Sequence, residues 1–130
     1  MDNEGANSQC EFERIMKSDN LISEKSIEFA IRIVNLYKYL CKEKEEYVMS
    51  KQLLRSGTSV GANVREGVYG QSRNDFVSKM SIGLKEAAET EYWLELLYRT
   101  GYLSEKEYGD IQTDCKEIVK ILTSIVKSSR

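Results

Sequence analysis

Between positions 52 and 66 the chain places Gln52, Arg55, Ser56, Ser59, Asn63 and Glu66 at intervals that suit one side of a helix. At about 100° per residue they share roughly 100° of arc, opposite a side that carries Leu53, Val60, Val64 and Val68. A merely solvated face would be rich in Lys and Glu, whereas short hydrogen-bonding residues are poorer helix formers that compete for their own backbone. Two kinds of chemistry fit such a face. In one, Arg55 contacts a phosphate while Gln52, Ser59 and Asn63 reach sugar or base edges. In the other the face is a polar seam against a second helix or subunit, with Arg55 paired to Glu66 and with Ser59 and Asn63 bonding across it.

Glu91 is the second residue of interest. It falls in the apolar arc of its segment, between the directions of Met80 and Leu84. An unpaired buried carboxylate is expensive there, so an ion pair or hydrogen bond is expected, for instance with Arg55 or the Tyr98 hydroxyl. A catalytic carboxylate is disfavoured because Glu86 and Glu89 are read as pointing to other sides and no nucleophile–base pair is evident. The chain has no histidine, which removes the commonest general base and the commonest zinc ligand. No enzyme activity, cofactor or metal is therefore expected. Tyr92, Trp93, Leu96, Leu97, Tyr98 and Tyr102 form an aromatic-rich stretch suited to core or subunit contact, with base stacking as the sharper alternative. Lys38, Lys42, Lys44, Lys51 and Arg55 cluster near one predicted connection among Glu43, Glu45 and Glu46, and a symmetric oligomer would repeat that cluster about its axis.

Helices must position these residues. The chain lacks proline, and helical spacing predicts four segments. The first runs from Leu21 to about Cys41, where Ile27, Ala30, Ile31, Val34, Tyr37 and Cys41 make one apolar row and Phe29, Ile33, Leu36 and Leu40 another. Together the rows span roughly 220° of arc, twice what one core needs, so a second buried face, against another copy, is expected, with a tight monomer core as the alternative. The run KEKEE at 42–46 leads to a second helix from about Tyr47 to Val68, where Gly57 and Gly61 on the buried side predict a close helix–helix approach. Ser72 to Asp75 reads as a capping box opening a third helix that ends near Thr100 before Gly101. Ser104 and Glu107 make a second box, opening the last helix. Residues 1–20 show no apolar period and are read as a mobile tail, with Phe12, Ile15 and Met16 docking loosely. The bundle occupies 21–128.

With 130 residues, 41% of them apolar, one core is expected. The formal charge of -2 shows no overall basic excess of the kind autonomous nucleic-acid binders carry. Three widely spaced cysteines argue against a disulfide framework and for a reducing compartment. No apolar run approaches the roughly 20 residues that span a bilayer, so a cytoplasmic protein without membrane contact is expected.

The stretches SKQLLRSGTSVGANVREG (50–67) and QSRNDFVSKMSIGLKEAAETEYWLELLYRTGYL (71–103) resemble the bacterial four-helix-bundle family of proteins encoded in intervening sequences of 23S rRNA genes. The likeness rests on Gln52, Leu53, Arg55, Ser59, Asn63, Glu66 and Gly67 in order, and on Glu86, Glu89, Glu91, Trp93 and Leu94. It implies an all-α, antiparallel up-down-up-down bundle that assembles as a homo-oligomeric ring, a pentamer, with no established enzyme activity. Related bundles are accessory subunits of reverse transcriptases and bind nucleic acid. The expected function is thus that of a non-enzymatic homo-oligomeric binding or scaffold protein whose partner is RNA or a ribonucleoprotein. The alternative is a protein–protein scaffold or accessory subunit without nucleic-acid contact.

Overall fold

The computed structural model describes the backbone of residues 4–129, with side chains at Gln9 and over 19–129. Four helices follow one another: α1 (Glu4–Lys44), α2 (Met49–Val68), α3 (Arg73–Arg99) and α4 (Glu105–Ser128). No strand occurs among the described residues. α1 and α3 each pack against both α2 and α4, so the helices form a four-sided bundle around one core that includes Phe29, Ile33, Leu53, Val60, Met80, Leu94, Ile118 and Leu122.

The two apolar rows of α1 part company. Phe29, Ile33 and Leu40 are buried, while Ile27 and Ile31 remain 40% and 55% exposed. The bundle therefore uses one row and leaves much of the other at the surface. The structure also carries α1 back to Glu4, where the sequence reading places a tail to about residue 20. Apolar periodicity reports burial rather than helicity. The stretch EFERIMK at 11–17 contains good helix formers and no breaker, so nothing stops the helix there. The expected docking of Phe12, Ile15 and Met16 lies outside the described residues.

The glycines of α2 do what their spacing predicts. A Cβ on Gly57 would come within 2.8 Å of the Ile33 side chain, and one on Gly61 within 3.3 Å of the Ser26 carbonyl oxygen. α1 and α2 can approach this closely only because both side chains are missing.

Helix ends follow the expected signals at three places. The Ser72 hydroxyl accepts from the Asp75 amide at 3.0 Å. Ser104 and Glu107 complete a reciprocal box. Gly101, with φ of 88°, lets the Tyr102 amide bond to the Leu97 carbonyl at 2.9 Å and its own amide to Tyr98 at 3.1 Å, the double closure of a Schellman motif. The start of α2 is different, because Val48 offers no side-chain cap. Instead Glu46, the last residue of the charged run, is buried and accepts from the amides of Ser50, Met49 and Val48 at 2.7, 2.9 and 3.1 Å. Glu45, in the left-handed region at φ of 52°, makes the turn that brings it there, and the Glu46 amide bonds back to the Leu40 carbonyl at 3.0 Å.

Burial raises the Glu46 carboxyl, but the amides of Met49, Ser50 and Val48 outweigh it and hold the group below its ordinary value. A folded-state value below the unfolded one stabilises the fold above the usual carboxylate range and stops doing so as the pH falls through it. Glu46→Gln is expected to cost about 1 kcal/mol in urea unfolding at pH 7. The gap to wild type should narrow below a pH of about 4.

Candidate functional site

The polar face of α2 is turned sideways, toward α3, rather than away from the core. Ser56 is fully buried, Ser59 and Asn63 are half-buried, and Gln52, Arg55 and Glu66 are exposed. The Arg55 guanidinium is engaged on several sides. Its Nε donates to Gln52 at 3.1 Å, one terminal nitrogen to Glu86 at 3.3 Å and the other to Glu89. Glu89 also accepts from the Trp93 indole at 2.9 Å. Glu66 pairs with Lys79 at 3.0 Å, not with Arg55.

Two further expectations shift. Ser59 and Asn63 do not bond across the seam; the Ser59 hydroxyl donates to the Arg55 carbonyl at 2.7 Å and the Asn63 amide to the Ser59 carbonyl at 2.9 Å. Both bond their own helix, as short polar side chains tend to. The buried crossing is made by Ser56, a member of the polar face, and by Thr90, which the sequence does not single out; their hydroxyls are 2.9 Å apart. Thr90 is also 2.8 Å from the Glu86 carbonyl. Glu86 and Glu89, read from sequence as lying on other sides of the helix than Glu91, are the partners of Arg55. A helical wheel orders residues around one axis but does not give the rotation of the neighbouring helix, so the crossing pairs leave no sequence signal.

Glu91 is half-buried rather than buried. Its charge still reaches the interior. Burial first and Glu91 second push the Cys115 thiol up to about 12, and that thiol donates to the Ala87 carbonyl at 3.4 Å. Cys115 is thus protonated and inert at neutral pH. Burial, with Glu95 and Glu91 behind it, also raises the Tyr108 phenol, whose ring stacks on Tyr98 with centroids 4.4 Å apart. Tyr92 is exposed and meets half-buried Trp93 edge-on at 5.0 Å.

The arrangement holds and orients; its chemistry is ionic and hydrogen-bonded. A phosphate approaching Arg55 would meet two carboxylates already bound to it. Lys38, Lys42, Lys44 and Lys51 are all exposed around the first connection, and the charge of Lys44 acts on Glu107. Among the described residues no group of three or more His, Cys, Asp or Glu could hold a metal ion, and no helix is long and apolar enough to cross a membrane.

The model of the 23S rRNA-intervening sequence protein family matches residues 18–124, and the chain belongs to that family. A crystal structure from Bacteroides thetaiotaomicron VPI-5482, described as a protein with unknown function from the S23 ribosomal protein family, is 60% identical. It covers 85% of this chain and 98% of its own, with a TM-score of 0.83. No curated protein matches.

The Ser56–Thr90 pair gives a direct test of the seam. Thr90→Val should destabilise by about 1 kcal/mol, because the Ser56 hydroxyl loses the Thr90 oxygen and keeps only the Leu53 carbonyl at 3.4 Å. Adding Ser56→Ala should recover part of that loss in chemical unfolding, since two apolar groups leave nothing unsatisfied. Arg55→Ala, on an exposed network, should cost about 1 kcal/mol or less.

Proposed function

We propose that this member of the 23S rRNA-intervening sequence protein family works without chemistry of its own, as a cytoplasmic homo-oligomeric binding subunit. Its copies meet on the outer face of α1 and the groove beside it. One observation carries this reading: α1 already buries Phe29, Ile33 and Leu40, yet keeps Ile27 and Ile31 substantially exposed. Next to them Ser26, Ile27 and Ala30 of α1 and Thr58, Gly61 and Ala62 of α2 line a groove of about 190 Å³. The small residues that let the two helices approach also leave it open.

Fully burying an isoleucine contributes roughly 1.5–3 kcal/mol. A contiguous apolar row beside a concave surface therefore favours being covered, and a second copy is the cover always present. Five copies in a closed ring are the expected assembly. Within each copy the helices run up-down-up-down. Supporting this, Gly57 faces Ile33 while Gly61 faces Ser26, and Arg55 meets Glu86 and Glu89 while Glu66 meets Lys79. Residue numbers fall along one helix as they rise along its neighbour.

The Arg55 face favours the structural alternative, a seam inside the protein, over direct contact with RNA or a ribonucleoprotein. Light scattering coupled to size exclusion tests the assembly. The expected mass is about five times the 15.0 kDa of the chain. Ile31→Asp should return it to the monomer with helical circular dichroism unchanged. A wild-type protein that is monomeric at tens of micromolar would end this reading.

A further inference from the structure

The formal charge of -2 conceals a segregation that only the packed helices reveal. On α4, Glu117 pairs with Lys25 at 2.8 Å and Asp114 pairs with Arg32, so these carboxylates lie on the flank facing α1. Lys116, Lys120 and Lys127 are all exposed and fall within about 40° of arc, about 110° round the helix from that flank, along roughly 16 Å of helix. None of the three is in an ion pair among the described residues. Thr123 lies about 20° outside that arc by the same count.

The flank they occupy borders α3. Cys115 bonds to Ala87, and Leu122 packs near Gly83, which puts exposed Lys85 and half-buried Ser81 of α3 level with Lys116 and Lys120. At the far end of this face Glu95 is occupied by Arg99 at 3.1 Å, and Glu91 is half-buried. Exposed lysines also stand around the first connection, but there they are interspersed with Glu43 and Glu45. Between α2 and α3, Arg55 and Lys79 face Glu86, Glu89 and Glu66.

We infer that the α3–α4 face, with Lys116, Lys120, Lys127 and Lys85 at its centre, binds the phosphodiester backbone of single-stranded RNA. The chemistry selects that ligand in three ways. The lysines form a line, as a polyanion requires. Hydroxyls rather than large apolar side chains lie among them, which suits phosphate and sugar contacts and lacks the apolar insert that a membrane-surface helix uses. The face is also separate from the outer row of α1 proposed as the contact between copies. An oligomer would repeat the stripe without covering it.

The test is fluorescence anisotropy of a labelled single-stranded RNA of about 20 nucleotides, titrated with the full-length protein at several salt concentrations. Binding should weaken as salt rises. The combined variant Lys116→Gln, Lys120→Gln and Lys127→Gln should bind at least about tenfold more weakly at low salt. Its plot of log affinity against log salt should flatten by about two, the loss of three single-strand contacts. The control variant Lys38→Gln, Lys42→Gln and Lys51→Gln changes the net charge equally and should bind as wild type does. Circular dichroism and light scattering on both variants separate this result from unfolding or from failure of the assembly. Equal losses in the two variants, an RNA affinity indifferent to salt, no binding by wild type, or preference for anionic lipid vesicles would each overturn the assignment.

Discussion

The absence of two side chains sets much of this structure. Gly57 lets α2 lie against Ile33 of α1 at a distance that a Cβ would not tolerate, and Gly61 lets it lie against Ser26 where a Cβ would be tight. Each glycine in a helix interior costs roughly 1 kcal/mol against alanine, so the close approach must return at least that much in packing. It does so by turning the row of Phe29, Ile33 and Leu40 fully inward. α1 can face the core with only one of its rows, and the other is left outside. The exposed Ile27 and Ile31 are thus the geometric complement of the glycines. The groove between α1 and α2 follows from the same cause.

The seam between α2 and α3 obeys a second rule, that buried polar groups find partners. Ser56 and Thr90 are fully buried and meet one another and the Leu53 and Glu86 carbonyls of their own helices; Arg55, at the surface, gathers Gln52, Glu86 and Glu89. The two halves differ in energetic weight. An exposed ion pair contributes a few tenths to about 1 kcal/mol, whereas an orphaned buried hydroxyl costs more. The conspicuous arginine cluster therefore fixes orientation more than stability. The inconspicuous hydroxyl pair is the part the fold would miss.

What the sequence could disclose divides along the same line. Information local to one helix was legible: the four segments, the Ser72 and Ser104 starts, the Gly101 stop, and the close approach at Gly57 and Gly61. Information belonging to two helices at once was not. The wheel did set Glu86 and Glu89 apart from Glu91, but it holds no record of where Arg55 stands and so could not name them as its partners. It treated Glu91 as buried because the apolar arc is wider than the core that fills it. Glu46 was hidden for another reason. In a run of alternating Lys and Glu nothing marks the one carboxylate that folds under the next helix, since the left-handed turn at Glu45 comes from a residue type that rarely adopts it. The extension of α1 to Glu4 was legible only as good helix formers without a breaker at 11–17, because no apolar period marks residues 1–20.

Charge illustrates how assembly of the helices creates a property that composition cannot hold. α4 alternates acids and bases along its length, and by sequence it reads as a balanced, solvated helix. Packing removes the balance. Lys25 and Arg32 of α1 draw Glu117 and Asp114 to one flank. An acid bound in a short ion pair contributes little field beyond its partner, because the two charges nearly cancel at distances large compared with their separation. The lysines on the other flank have no such neutralising neighbour. Their field adds along the helix, over a spacing shorter than the roughly 8 Å screening length at physiological ionic strength for Lys116 and Lys120. A weakly acidic chain can therefore present a coherent basic stripe. The ion pairs that hold α1 to α4 produce it by occupying the acids that would otherwise have masked it.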